Sequence, residues 1–363
     1  MALNKNLIIM KFKKNLTFFT LVISFILCAQ QGQKTAKTAI KIDTILFDKI
    51  NIRALSITKT TVYYAADKNR VGYIAVDNLK KIEQKIKYDS LIVDFRSCAK
   101  TKNSFFALSI ANPALLYKFS NDFGTKKLVY TENHTDVFYD SMHFYDNLNA
   151  IAIGDPVMGR ISIIVTKDGG ETWRKKDILN TPELAEGEAF FAASNTNINI
   201  KNGKTWLVTG GKKARIFYSP NKGQTWTVYD TPIAQGKQMT GIFTADFYNE
   251  NIGVIAGGNY ETPKTNTNNK AITFNGGKTW KLLAQNEGFG YASCVQFFPE
   301  SGGKKIISVG LTGVFVSNDF GESWTQISND TSLFTIRFMN KKTAIAAGKN
   351  KIIKITFLKK TPS

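Results

Sequence analysis

Seven arginines, at positions 53, 70, 96, 160, 174, 215 and 337, are the groups of this 363-residue chain best suited to grip an anion. Two of them open matching phrases, Ile52-Arg53-Ala54-Leu55 and Phe95-Arg96-Ser97-Cys98. A third phrase, Tyr139-Asp140-Ser141-Met142, puts Asp140 at the same place, and further along Tyr260 is followed by Glu261. Hydrolysis of an acidic glycan wants arginines around a carboxylate, a Tyr backed by Glu as nucleophile, and an Asp acid. A glycoside hydrolase is therefore one reading, and a carboxylate clamp without catalysis is another. The plainest is that the arginines pair with Asp140 and Glu188 and close a crowded channel mouth.

These residues must be held by something, and the chain repeats itself in a way that says what. Thr166 to Trp173 reads T-K-D-G-G-E-T-W. The phrase returns as S-P-N-K-G-Q-T-W (Ser219 to Trp226), T-F-N-G-G-K-T-W (Thr273 to Trp280) and S-N-D-F-G-E-S-W (Ser317 to Trp324). A worn copy without Trp, S-N-D-F-G, lies at Ser120 to Gly124. The side chains of Asp168, Asn221, Asn275 and Asp319 can accept backbone N–H groups within their own turn, and a Gly takes positive φ. Trp173, Trp226, Trp280 and Trp324 then drop toward the core at the start of the next strand. The four Trp are 53, 54 and 44 residues apart, and periods of roughly 40–50 residues in a β-rich chain mean propeller blades. This phrase is the Asp-box, or BNR repeat.

Seven inner strands can be laid out: the three phrases above, then Ala189-Phe190-Phe191-Ala192, Ile242-Phe243-Thr244-Ala245, Tyr291-Ala292-Ser293-Cys294 and Phe334-Thr335-Ile336-Arg337. The expected fold is all-β, a seven-bladed β-propeller of four-stranded antiparallel blades. The last repeat has three evident strands, and Ala39 to Phe47 alternates like a strand without a blade of its own. The N-terminal strand therefore closes the ring.

Residues 1–29 carry Lys5, Lys11, Lys13 and Lys14 before an apolar run, Leu16 to Leu27, too short to span a bilayer. They read as a signal peptide, residues 30–38 as a polar tether and 39–363 as a single propeller domain. Two endings stay open, cleavage after Ala29 or lipidation of Cys28, and only the second attaches the protein to a membrane. The chain is expected to be exported: periplasmic, outer-membrane-associated or secreted. Setting aside the four lysines leaves 44 basic against 28 acidic residues, a net charge of +16. That excess suits an acidic glycan or lipid surface if clustered, and is ordinary solvated surface if spread. Nucleic acid is not expected for an exported protein.

Three cysteines and two histidines, His134 and His143, are too few and too scattered for a zinc site. The Asp-x-Gly turns lack the trailing Glu of a calcium loop. No metal and no cofactor are expected. Cys98 and Cys294 fall on the second and sixth inner strands, too far apart for a disulfide, so both should be free.

In a propeller of this strand order the repeated turns share one face, and the irregular loops share the other. The second set includes Gly154 to Arg160, Gly210 to Arg215 and Gly258 to Lys270, with links such as Asn180 to Glu188. Loops on a rigid scaffold are where function sits. The expected contact set is Asp155, Arg160, Glu188, Arg215, Tyr260 and Tyr291 around the mouth, with Arg53, Arg96 and Asp140 just inside.

Several of these phrases carry a resemblance: G-D-P-V-M-G-R from Gly154, G-E-A-F-F-A-A-S from Gly187, T-G-G-K-K-A-R-I-F from Thr209, G-I-F-T-A-D-F from Gly241 and G-G-N-Y-E-T-P from Gly257. Together with the repeats, over about residues 45–357, the chain resembles the extracytoplasmic propellers of the photosystem II stability and assembly factor family. The resemblance implies a seven-bladed propeller and a chaperone-like role in assembling a membrane complex. Bacterial relatives are often labelled oxidoreductase, yet no dinucleotide-binding turn opens a helix here. Where relatives tend to have Tyr-Arg-Ser, this chain reads Tyr291-Ala292-Ser293, which thins any arginine-lined channel. The expected function is a non-catalytic assembly or stability platform acting as a monomer on another envelope or extracellular protein. A glycan-binding or glycan-hydrolysing propeller is the alternative, and an oxidoreductase the second.

Overall fold

In the computed structural model, residues 39–358 are described; the expected signal peptide, the tether and Cys28 lie outside them. Every strand pairing is antiparallel, and among the described residues the one helical turn is a short 3-10 segment, Ile178–Asn180. The molecule is an all-β propeller.

Its strands form six hydrogen-bonded sheets, which corrects the expectation of seven blades. Four sheets have four strands and follow the repeats closely, for example Phe95–Lys100, Ser104–Ser109, Ala114–Ser120 and Lys126–Glu132. The other two have six strands. One of these explains the missing blade. Strand Ile40–Ile57 runs 18 residues, pairing first with Thr343–Phe357 and then with Thr61–Ala66. Leu333–Asn340 and Thr343–Phe357, read from sequence as a seventh repeat, thus share one continuous sheet with the first. The N-terminal segment lies along Thr343–Phe357, from Ile40 opposite Phe357 to Phe47 opposite Lys351.

The repeated turns are built as their residue types dictate. Thr166 Oγ1 donates to Asp168 Oδ1 at 2.8 Å, Gly170 N–H to Thr166 Oγ1 at 3.0 Å, and Thr172 N–H to Asp168 Oδ1 at 3.0 Å. Asn221, Asn275 and Asp319 accept the matching N–H of Thr225, Thr279 and Ser323 at 2.9–3.0 Å. Burial of the Trp anchors is less uniform than expected: Trp173 is buried, but Trp226, Trp280 and Trp324 are half-buried. Trp280 and Trp324 instead donate Nε1–H to the turn's own Gly277 and Gly321 carbonyls at 3.0 and 2.9 Å. The wholly buried indole is Trp206, outside the turns, stacked 4.1 Å from Phe247.

Between sheets the core is aromatic and β-branched. Tyr63 of the first sheet stacks on Phe105 of the second at 5.3 Å, with Phe119 and Phe123 completing the cluster. At roughly 25 cal/mol per Å² of apolar surface, such seams hold the sheets together.

One repeat departs from the layout. The expected inner strand Ala189-Phe190-Phe191-Ala192 ends after Glu188–Ala189, and residues 190–197 leave the ladder to fill the channel. The other inner strands hold small polar residues there: Ser141, Thr244, Ser293 and Thr335. Each meets this plug. Ser141 Oγ donates to Asn195 Oδ1, Ser194 Oγ to the Ser293 carbonyl, Thr196 Oγ1 to Thr244 Oγ1, and Thr335 Oγ1 to the Ser194 carbonyl. Asn195 Nδ2 adds the Cys98 carbonyl at 2.7 Å. Asn195 sits at φ +57°, which Asn tolerates better than most residues.

Candidate functional site

Strand alternation puts the start of each inner strand at the irregular-loop face and its end at the repeated-turn face. The plug divides the channel between them, leaving a cavity on each side.

On the loop side, Arg53, Arg96, Asp94, Asp67, Asn51, Lys349 and Phe334 line a cavity of about 290 Å³. The sequence pairing of Arg53 with Arg96 is therefore realised in space. Arg53 donates Nη1–H to the Ala193 carbonyl of the plug at 3.2 Å, and its guanidinium lies 4.2 Å from the centre of the Phe334 ring. Arg96 donates Nε–H to Asp94 Oδ2 at 2.7 Å. Among the described residues neither guanidinium uses its remaining N–H donors on the protein. Burial, and then the like charge of Arg96, lower the pKa of Arg53 from its usual value. An entering carboxylate would meet unfilled donors and relieve that repulsion.

Asp140 is close enough to Arg96 and Asp155 to feel both, yet it faces no ligand space. Its side chain is wholly buried, and neither carboxyl oxygen has a hydrogen-bond partner among the described residues. Burial, then the nearby Asp155, push its pKa well above the usual range. Asp155 accepts the Phe190 N–H at 3.0 Å, and burial raises it to about 6. Asp140 is thus sealed away from solvent and cannot serve as an exposed acid.

Two other expected contact residues turn out to be an internal tie. Glu188 is buried and takes Arg215 through Nε at 3.1 Å on both oxygens, Thr209 Oγ1 at 2.5 Å and the Ala185 N–H at 2.8 Å. Arg160 donates to the Thr181 carbonyl at 2.7 Å and reaches exposed Glu183 at 3.5 Å, holding a hairpin against its neighbouring link. Tyr291 is buried, packed edge-on against Phe243 and Tyr260 at 4.7 and 5.2 Å. Tyr260 is exposed. Tyr260 and Glu261 therefore sit on an outer loop while Asp140 is sealed inside, so the three are not brought together as a hydrolytic set.

The sequence reading missed the plug and the anions Asp67 and Asp94, together with Lys349 and Phe334. The run Ser194-Asn195-Thr196-Asn197 was the available signal, because consecutive short polar residues suit a bend better than a strand. Cys98 and Cys294 are buried free thiols, and burial raises Cys98 to about 12. Among the described residues no group of three or more His, Cys, Asp or Glu is placed to hold a metal ion.

No family model matches the chain, and no curated protein matches it. Solved structures do. The chain is similar to the structure described as YCF48 bound to D1 peptide, at 12% identity and a TM-score of 0.64, covering 90% of this chain and 98% of that one. It is also similar to YCF48 from Cyanidioschyzon merolae, at 11% identity and a TM-score of 0.60, over 87% and 98% of the two chains. The RRP9 WD40 repeats match at 11% identity and a TM-score of 0.62, over 88% and 100%. At these identities the likeness is one of fold.

Proposed function

We propose that this propeller is a non-catalytic platform, exported to the cell envelope or beyond, that holds a partner protein on its irregular-loop face. An anionic group of the partner is seated between Arg53 and Arg96. The observation that carries this is where the most exposed apolar side chains lie. Among the described residues the four most exposed large ones are Phe47 at 80%, Ile92 and Met158 at 78% and Leu179 at 74%. Phe47 and Ile92 lie where the chain passes between repeats, Met158 in a hairpin and Leu179 in a link, and strand alternation puts all four on one face. Apolar tips around a cationic centre suit a protein surface better than a sugar.

The D1 peptide bound to YCF48 supports a polypeptide partner for this fold. The lysine-led apolar run before Cys28 supports export, and the four repeated turns support the Asp-box assignment. The test is capture of envelope proteins on immobilised mature chain, compared with Arg53→Ala/Arg96→Ala and with Lys222→Ala/Lys278→Ala on the opposite face. Loss of the same captured protein only in the arginine variant is expected. Equal capture by all three proteins would sink the reading.

A further inference from the structure

At the repeated-turn face lies a larger cavity, about 510 Å³, on the other side of the plug from the arginine pair. Its exposed surface is mostly polar, with Phe144, Tyr248, Phe298 and Phe338 supplying apolar patches, and its polar groups are unevenly charged. Lys100, Lys201 and Arg337 supply three cations, and Asp246 is the one carboxyl. His143 also lines it, but burial lowers its pKa to about 4, so it is neutral near pH 7.

The cations are not equally occupied. Arg337 gives Nη1–H to the Ile336 carbonyl at 2.8 Å and Thr335 Oγ1 at 3.0 Å, and Nη2–H to the plug carbonyls of Ser194 and Asn195 at 2.9 and 3.2 Å. It contributes field rather than donors. Lys100 gives Nζ–H to the Thr101 carbonyl at 2.9 Å and Asn121 Oδ1 at 3.0 Å. Asp246 already accepts the Phe297 N–H at 2.7 Å. Among the described residues, Lys201 Nζ and the Gln296 amide line the cavity without a hydrogen-bond partner, although burial, which raises the Asp246 pKa, is partly offset by the nearby Lys201 charge. Both are half-buried in the cavity wall.

We infer that this cavity is a second binding site, for a small organic carboxylate with an aromatic or acyl body. Lys201 meets the carboxylate, the Gln296 amide supplies a neutral donor, and the body lies against Phe144, Phe298 and Phe338. Its volume falls within the usual range of about 300–1,000 Å³ for small-molecule pockets. A net excess of two cations suits a single anionic group. Phosphate has no acyl or aromatic body to lay against Phe144, Phe298 and Phe338, so it gains only the polar part of the site. The plug separates this site from Arg53 and Arg96, so the inference stands apart from the partner-binding proposal.

Isothermal titration of the mature chain with phenylacetate tests it, with 2-phenylethanol and inorganic phosphate as matched probes. Phenylacetate is expected to bind at least about tenfold more tightly than either, the margin of one charge-assisted hydrogen bond in a partly dry site. Lys201→Gln should weaken phenylacetate about tenfold with an unchanged melting temperature, while Arg53→Ala leaves the affinity alone. Phenylacetate that fails to bind the folded protein overturns the inference. So does phosphate binding as tightly as phenylacetate, or affinity that follows Arg53 rather than Lys201.

Discussion

Arg215 holds Nε 3.1 Å from both carboxylate oxygens of Glu188, a side chain with no solvent exposure at all. The tie joins the loop after Val208 to the link after Asn180, two segments that the sequence places on the outer face. Arg160 lies on the same face but answers to an exposed partner, Glu183. The two arginines look alike in sequence and differ in energetics.

Arg215→Ala would strand a buried carboxylate, at a cost of about 3–5 kcal/mol. Arg160→Ala should cost no more than about 1 kcal/mol, since exposed pairs contribute little. Urea unfolding of both variants checks this. Replacing the pair together, as Arg215→Met with Glu188→Leu, should recover only part of the loss, because the uncompensated charge is gone but the Thr209 hydroxyl and the Ala185 N–H lose their acceptor. Equal destabilisation by the two single changes would overturn the distinction.

The plug gives a second expectation. The Asn195 amide alone links the Cys98 carbonyl, Ser141 Oγ and the Met142 N–H, across two sheets, from a left-handed backbone. Asn195→Ala removes those bonds and leaves buried groups unmet, at roughly 1–3 kcal/mol for each group left unsatisfied. Strain from Ala at positive φ adds to it. Asn195→Gly relieves the strain but not the lost bonds, so it should fall between wild type and Asn195→Ala in unfolding midpoint. If both variants unfold like wild type, the plug does not hold the sheets together.

Much of this architecture was legible because the repeated turn encodes itself locally. Thr166, Asp168, Gly170 and Thr172 make their bonds within seven residues, so spacing alone revealed them. The blade count was not local. It depended on whether Ile40–Ile57 breaks between its two partners or runs on, and an alternating strand looks the same either way. The pairing of Arg53 with Arg96 could be read from matching positions on successive inner strands. The plug could not, because Ala189-Phe190-Phe191-Ala192 has strand-like composition, and only the ring of small polar residues on distant strands shows why it turns inward. Glu188 and Arg215 were visible as charges, but their burial arises from contacts between separate loops.

The buried carboxyls should shape how stability depends on pH. Asp140 and Asp155 both have raised pKa values in the folded protein, Asp155 at about 6 against an unfolded value near 3.8. A folded state that binds protons more tightly than the unfolded chain is favoured at low pH. Their contribution is fully present below the unfolded value and is lost as pH rises through the folded ones. His143, lowered to about 4, works in the opposite sense, losing stability as pH falls from 6.5 toward 4. A raw pH profile therefore mixes the two trends, whereas the difference between wild type and Asp140→Asn cancels the histidine. The Asn variant should unfold at higher urea concentration than wild type at pH 7–8, and the gain should shrink toward zero below pH 4, where Asp140 is neutral in both states. A variant less stable than wild type at pH 8 would mean that Arg96 holds Asp140 as a charged carboxylate, contrary to the burial that sets its titration here.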